Sequence, residues 1–253
     1  MGLHRLGPGR ELPRGSGDLW AGGGEPGPAR RGAEGRALLG LALTLSLASP
    51  DALAVESPSC HCFRDRSFDA ARPAAADEYI LATTRNSLLS AAFAVSKREI
   101  VQAEMSGTSP DDLWIAYWAA TRTGRDPGVL LAQRRAGGSW RFALADVEAG
   151  RLGPAFAEAL TRGAPDVGLA SVAVDDIVVS RLGAKTGSVA ALRKAGATSP
   201  ETIVASVAAP RAGRPAESLL QAVRQGSSTW GSLLRDLGIA PSDLDGVVRR
   251  ALR

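Results

Sequence analysis

The chain has 253 residues, 45% of them hydrophobic, which is enough for one or two domains with a buried core. Its formal net charge is +4, but the first 36 residues hold six arginines against four acidic residues and so supply +2 of it. The rest of the chain is close to neutral, so the charge does not indicate a nucleic-acid-binding protein, and we expect no nucleic-acid partner.

The first 54 residues have the layout of a disordered leader followed by a secretory signal peptide. Residues 1–29 are rich in Gly, Pro and Arg and lack apolar periodicity, which predicts disorder. Arg30, Arg31 and Arg36 then precede an apolar run over residues 37–48 that is too short to span a bilayer. Small residues follow, so we predict cleavage near Ala54, no stable membrane span after cleavage, and a periplasmic or secreted protein. The alternative is an uncleaved N-terminal anchor.

An irregular segment, residues 55–76, contains the only two cysteines of the chain, Cys60 and Cys62, on either side of His61. In an oxidising compartment these cysteines favour a disulfide, either with each other or between chains. Two thiolates and one imidazole also suit copper(I) or zinc, and Asp65 and Asp69 are the nearest carboxylates for a fourth ligand. Thiol redox chemistry is a further alternative, and the sequence predicts no other cofactor.

The chain contains an internal repeat. The run TSPDDLWIAYWAATRTGRDPGVLLAQRRAGGSW, residues 108–140, returns as TSPETIVASVAAPRAGRPAESLLQAVRQGSSTW, residues 198–230, and weaker similarity extends on both sides. Such self-similarity indicates two structural copies, which we place at residues 77–165 and 166–253. Copy one is predicted to begin with a helix from Asp77 to Ala94.

The repeated run carries helix signals and almost no strand signals. Ser109 and Ser199 have the chemistry of N-cap residues and precede prolines, whereas Gly124 and Gly213 suit helix ends. Only residues 172–179 are rich enough in β-branched residues for a strand, and their place in the repeat favours a helix. We therefore predict an all-α fold, with two tandem similar bundles of about five short helices each, stacked end to end.

Five aromatic residues within the repeats are candidate ligand or core positions. Trp114, Tyr117 and Trp118 fall on one predicted helix, where they either line an aromatic groove for a ligand or fill the core of the bundle. Trp140 and Trp230 occupy matching places in the two copies, so we predict that both are core residues.

Two basic features are weaker candidates. Residues 230–252 have roughly the spacing of a helix-turn-helix motif, but Asp243 and Asp245 at the start of its second helix would repel phosphate, which favours a plain helical hairpin. Arginines of copy one form either a basic stripe or a solvated helix face. These arginines are Arg122, Arg125, Arg134, Arg135 and Arg141.

The runs CHCFRDRSFDAARPAAADEYILATTRN and DDLWIAYWAATRTG, within residues 60–140, resemble the start of uncharacterised exported helical proteins of environmental bacteria with a Cys-His-Cys mature N-terminus. The resemblance implies export and a helical fold, and it carries no catalytic residues. The sequence also lacks a glycine-rich phosphate loop, a zinc-protease motif and a nucleophile elbow. We therefore expect an exported, non-enzymatic helical-repeat protein that binds or scaffolds a partner. The alternative is a metal-binding or thiol-redox protein that acts through Cys60, His61 and Cys62.

Overall fold

The computed structural model describes residues 63–252, so the predicted leader, the signal peptide and the Cys60, His61 and Cys62 cluster lie outside the described residues. Within residues 63–252 the chain forms 13 α-helices and one 3-10 helix, with no β-strand, which confirms the all-α prediction. None of the helices in this range is both long enough and apolar enough to cross a membrane.

The helices of the first half of this range follow one another at short intervals. They are α1 (Asp77–Phe93), α2 (Lys97–Met105), α3 (Pro110–Thr123), α4 (Pro127–Gly137), α5 (Trp140–Ala143), α6 (Ala149–Leu152) and α7 (Pro154–Thr161). The sequence predicted about five helices here. The larger number arises because α5 and α6 are single turns of four residues, and because Gly153, with a φ of +73°, and Pro154 separate α6 from α7.

The second half has the same order of long and short helices. It contains α8 (Asp166–Ser180), α9 (Thr186–Lys194), α10 (Ser199–Ala212), α11 (Ala216–Arg224), α12 (Trp230–Asp236), the 3-10 helix (Pro241–Asp243) and α13 (Leu244–Ala251). Residues 172–179 lie inside α8, so the helix prediction for this β-branched run is confirmed. The first residues of α1 and α8, of α2 and α9, of α3 and α10, and of α4 and α11 are each 89 positions apart.

The starts of α3 and α10 show one correction to the capping prediction. The Ser109 hydroxyl accepts a hydrogen bond from the backbone N–H of Asp112 at 3.0 Å, as predicted. In α10 the cap is Thr198, and Ser199 is the first helical residue. Thr198 takes this role because Glu201, three residues later, accepts hydrogen bonds from the Thr198 backbone N–H and hydroxyl, which completes a capping box.

The ends of α3 and α10 are formed by glycine, as the sequence predicted. Gly124 has a φ of +73° and donates its backbone N–H to the carbonyl of Ala120, and Gly213 has a φ of +59° and donates to Ala209. Residues with a side chain are strained in this left-handed conformation, so glycine is the favoured residue at both ends.

The helices of the two halves interlock. The first helix, α1, packs mainly on α10 and α13 of the second half, whereas α8 packs on α3 and α7 of the first half. The buried apolar side chains of both halves consequently form one continuous core, and the helices between residues 63 and 252 belong to a single compact unit. These contacts do not confirm two separate bundles stacked end to end, because the first helix of each half packs largely on the other half.

Helix α1 is central to the core. Its residues 82–90 are all buried, and because nine consecutive helical residues point in every direction, α1 is surrounded on all sides. Several of these residues are polar, and their side chains bond to neighbouring elements. Arg85 pairs with Glu104 of α2 at 2.8 Å, Ser87 accepts from Lys97 at 3.0 Å, and Ser90 accepts from Arg249 of α13 at 3.2 Å.

The first residue of α1 also forms hydrogen bonds with the first residues of α12. The Asp77 carboxylate accepts the backbone N–H groups of Trp230 at 3.1 Å and Gly231 at 2.8 Å, and the Thr229 hydroxyl donates to the carbonyl of Pro73 at 2.9 Å. A Cβ atom at Gly231 would lie 2.8 Å from that carbonyl, so only glycine permits this close approach. Hydrogen bonds thereby connect residues 73–77 to residues 229–231.

Candidate functional site

The Cys-His-Cys cluster lies outside the described residues, so its disulfide, copper or zinc alternatives stay predictions. Its two proposed carboxylate neighbours are both bonded to Arg72, with distances of 3.0 Å to Asp65 and 3.2 Å to Asp69. Over residues 63–252, no group of three or more His, Cys, Asp or Glu side chains is arranged to hold a metal ion.

The aromatic residues of α3 point in different directions. Trp114 and Trp118 are buried, and Tyr117 is half-buried beneath Phe93, with ring centroids 6.2 Å apart. Trp118 stacks on Phe156 at a centroid distance of 4.5 Å, inside the core. Trp114 lines the cavity described below, whereas Tyr117 and Trp118 are not among the residues that line it.

Trp140 and Trp230 are both buried, at 1% and 2% exposure. The indole N–H of Trp140 donates to the carboxylate of Asp112 at 2.7 Å, which ties α5 to the first turn of α3. Trp230 is the first residue of α12, and its backbone N–H is one of the two that Asp77 accepts.

Most arginines of the predicted basic stripe are bonded to acceptors of the same chain. Arg122 pairs with Asp176, Arg125 with Asp146 and Arg134 with Asp166, while Arg141 donates to the carbonyls of Leu160 and Thr161. Three of these four arginines are therefore neutralised by a carboxylate, and the fourth closes the end of α7.

The C-terminal hairpin presents its second helix to the core. Leu244, Val247 and Val248 of α13 are buried, and α13 packs on α1. The charged residues Asp245 and Arg249 of the same helix bond to each other at 2.9 Å. This packing fits the interpretation of residues 230–252 as a helical hairpin, since a recognition helix needs a free face.

A cavity of about 340 Å³, which we call the central groove, lies where α1, α3 and the beginnings of α8 and α10 meet. Its rim includes the exposed residues Glu78, Val167 and Thr198. Its other residues are half-buried or buried. These residues are Phe63, Leu81, Ala82, Arg85, Pro110, Asp111, Trp114, Ser199 and Pro200.

The two sides of the central groove differ in polarity at corresponding positions. Three pairs of lining residues are 89 positions apart: Glu78 and Val167, Pro110 and Ser199, and Asp111 and Pro200. In the first and third pairs the earlier residue is acidic and the later one is apolar. At these two positions the side formed by α1 and α3 carries carboxylates, whereas the side formed by α8 and α10 carries apolar residues.

The charges in the groove do not cancel. Arg85, which is 8% exposed, is paired with Glu104, and its ε N–H donates to the side-chain oxygen of Asn86 at 3.0 Å. Glu78 and Asp111, in contrast, form no hydrogen bond or ion pair with any residue between 63 and 252. Burial raises the pKa of Asp111, and the positive charge of Arg85 offsets part of that rise.

Two further buried residues that line the groove carry polar groups, Trp114 and Ser199. The indole N–H of Trp114 is buried and has no hydrogen-bond acceptor within the described part of the chain. The hydroxyl of Ser199 accepts from Arg193 at 3.2 Å and lies 3.4 Å from the hydroxyl of Ser171. Neither partner of Ser199 is a general base, so the groove does not contain an activated serine.

Among the residues that line this groove, the sequence suggested only Trp114 as a possible ligand contact. Asp111 and Glu78 were not among the candidate site residues. The repeat could have indicated these two residues, because Glu78 and Asp111 are acidic whereas the residues 89 positions later, Val167 and Pro200, are apolar. Comparison of this chain with known proteins finds no matching family model, no matching curated protein and no matching solved structure.

Proposed function

We propose that this chain is an exported, non-enzymatic helical protein, formed by tandem duplication of one unit, that binds a ligand in the central groove. The observation that carries this proposal is the position of the groove, where the starts of the corresponding helices α3 and α10 meet α1. Sites between similar units are a common location for ligands, because neither unit closes the space alone.

The duplication is supported by helix spacing and by contacts. Four successive pairs of helices start 89 positions apart, and the contacts of α1 with α10 correspond to those of α8 with α3. We infer that the two copies have exchanged their first helices, so that each copy is completed by the other. Such an exchange makes both copies necessary for the fold.

Two lines of argument support an exported binding protein. The leader has the charged, apolar and small-residue parts of a signal peptide, which is a property of the sequence alone. The groove contributes unpaired carboxylates and apolar walls, which suit recognition, whereas its serine lacks a base. Ligand capture outside the cytoplasm is consistent with both.

Export is tested by expressing the full-length chain in a Gram-negative host and measuring the intact mass of the protein in each cell fraction. We expect a periplasmic or secreted species whose mass corresponds to a chain beginning near Val55. A full-length mass in the cytosolic fraction alone would contradict export.

Binding in the groove is tested by thermal shift of the purified protein against a panel of small cations, anions and neutral compounds. Val167 lies on the groove rim at 57% exposure, so Val167→Trp should fill the groove without disturbing the core. Val129→Trp is the matched control, since Val129 is 51% exposed on α4 and does not line the groove. Stabilisation by a compound should disappear in Val167→Trp alone. Equal responses of the two variants would reject the groove as the binding site.

The alternative proposal is a metal-binding or thiol-redox protein acting through Cys60, His61 and Cys62. The donor types of these three residues support it. Elemental analysis and thiol counting on the exported protein, compared with a Cys60→Ser, Cys62→Ser double variant, separate the alternatives. Stoichiometric copper or zinc, or a reactive thiol lost in the double variant, would favour this second function.

A further inference from the structure

We propose that the central groove binds a small organic ammonium ion with an apolar body. The charged end lies at Glu78 and Asp111, and the apolar body lies against Val167 and Pro200. This inference rests on the proposed binding function of the same groove and adds the chemical class of its ligand.

The charge of the groove selects a cation. Arg85 is the basic residue of the lining, and its charge is balanced by Glu104, whose side chain is only 5% exposed. The carboxylates of Glu78 and Asp111 have no such partner among residues 63–252. Arg85 attracts the Asp111 carboxylate without forming an ion pair with it, but Glu104 compensates the charge of Arg85 at 2.8 Å, so the carboxylates of Glu78 and Asp111 are available to a ligand.

The neighbouring carboxylates of Asp112 and Asp166 also raise the pKa of Asp111, but both are paired with Arg134 and add little to the net charge of the groove. The two hydroxyls at the start of α10 are already hydrogen-bonded. The Thr198 hydroxyl accepts the N–H of Glu201, and the Ser199 hydroxyl accepts from Arg193. An anionic ligand would therefore meet the carboxylates of Glu78 and Asp111, while the hydroxyls at the start of α10 are already engaged.

The side of the groove formed by α8 and α10 favours a ligand with an apolar body. Val167 is one of the large hydrophobic residues exposed on the surface, and Pro200 faces the same cavity. Leu81, which lies on α1 with Glu78, and Phe63 add apolar surface elsewhere in the groove. Covering apolar surface contributes roughly 25 cal/mol per Å², so a ligand with a hydrophobic part gains affinity that a bare ammonium ion does not. The volume of about 340 Å³ is near the lower end for ligand pockets, which limits the body to a small group.

Three probes of similar shape test the charge preference on the full-length protein purified after expression. They are 2-phenylethylammonium, 2-phenylethanol and 3-phenylpropionate, each titrated by NMR or calorimetry at pH 7 and low salt. A fourth probe, ethylammonium, has the charge without the apolar body. We expect 2-phenylethylammonium to bind at least tenfold more tightly than each of the other three.

Variants test whether the carboxylates supply that preference. Asp111→Asn and Glu78→Gln remove one charge each with little change of shape, and each should weaken binding of 2-phenylethylammonium about tenfold. Glu158→Gln is the matched control, because Glu158 lies on α7 with a side chain that is 67% exposed, and it should leave the affinity unchanged.

The outcomes separate this inference from the proposed function. Equal binding of 2-phenylethanol and 2-phenylethylammonium, both blocked by Val167→Trp, would overturn the cation preference and leave the groove as a binding site. Binding of the amine that survives Asp111→Asn, Glu78→Gln and Val167→Trp would overturn both. Failure of all four probes to bind would also overturn the inference, while the compound panel would still test the groove.

Discussion

Trp118 on α3 donates its indole N–H to the carboxylate of Asp176 on α8, with 2.8 Å between nitrogen and oxygen. Arg122 bonds to the same carboxylate oxygen at 2.6 Å and lies 5.2 Å from the centre of the Trp118 ring. One carboxylate of the second half therefore satisfies a buried donor and a charge of the first half. This contact lies where α3 packs on α8 and holds the two halves together.

Replacing Asp176 should reveal the strength of that contact. Asp176→Ala leaves the buried indole N–H of Trp118 without its acceptor, so we expect a loss of about 1–3 kcal/mol of unfolding free energy. Asp176→Asn keeps an acceptor oxygen and should lose less. Urea denaturation measures both, with Asp236→Ala as the control, because the Asp236 side chain is 61% exposed. A loss in the control as large as in Asp176→Ala would contradict the interpretation.

The buried ion pair of Arg85 and Glu104 should be far more important than an exposed pair. The two side chains are 10% and 5% exposed, and Glu104→Ala leaves Arg85 charged and buried, which typically costs about 3–5 kcal/mol. Glu158 and Arg162 form the comparison pair, with side chains 67% and 69% exposed, and Glu158→Ala should change stability by less than about 0.5 kcal/mol. Chemical denaturation at neutral pH compares the variants. Equal effects at the two sites would exclude a structural role for Glu104.

Trp140 and Trp230 should each be essential to the core. Both side chains are buried, so Trp140→Ala and Trp230→Ala should each reduce stability by about 3–5 kcal/mol through lost contacts and the cavities left behind. Met105→Ala is the control, since Met105 is 65% exposed and should change stability by no more than about 0.5 kcal/mol. Thermal unfolding followed by circular dichroism detects these differences. A melting curve unchanged by either tryptophan substitution would refute the predicted core role.

Asp111 should lower stability at neutral pH. Burial raises its pKa in the folded protein above the ordinary value of 3.8, so the ionised form disfavours folding at high pH. The loss of folding free energy caused by ionised Asp111 is complete above the pKa of Asp111 in the folded protein. It disappears as the pH falls below the ordinary pKa of 3.8. Asp111→Asn should therefore be more stable than the natural protein at pH 7, with a difference that vanishes below about pH 3.8.

Asp146 provides the control of opposite sign. A hydrogen bond from Arg125 lowers the pKa of Asp146, so its ionised form favours folding and Asp146→Asn should not stabilise the protein at pH 7. Denaturation at pH 7 and at pH 3.5 compares both variants with the natural chain. An Asp111→Asn variant that is no more stable at pH 7 would contradict the predicted cost.

The helices were largely predictable because their signals are local. A cap such as Ser109, a proline at the start and a glycine such as Gly124 at the end act within one or two turns, and the sequence shows them directly. The single-turn helices α5 and α6 were not separated in advance, since four residues are too few for a periodic pattern. The prediction of Ser199 as the cap of α10 was wrong because Thr198 forms a capping box with Glu201.

Side-chain partners across the fold were much less predictable. Asp175 pairs with Arg193 at 2.8 Å, while the residues 89 positions earlier, Asn86 and Glu104, are joined by a hydrogen bond of 3.3 Å. The second residue of the pair is basic in the second half, Arg193, and acidic in the first half, Glu104. In the sequence each of these residues looks like an ordinary polar surface residue, because its partner is distant in the chain.

By itself, the sequence determined that this chain is helical, where most of its long helices begin and end, and that two of its stretches are alike. Only the tertiary structure decided that α1 packs within the second half and α8 within the first, and that Glu78 and Asp111 share a groove with Val167 and Pro200. The physical reason is the range of the interactions. Caps and turns are formed by neighbours in the chain, whereas the groove depends on how helices pack across roughly a hundred residues, for which no local pattern exists.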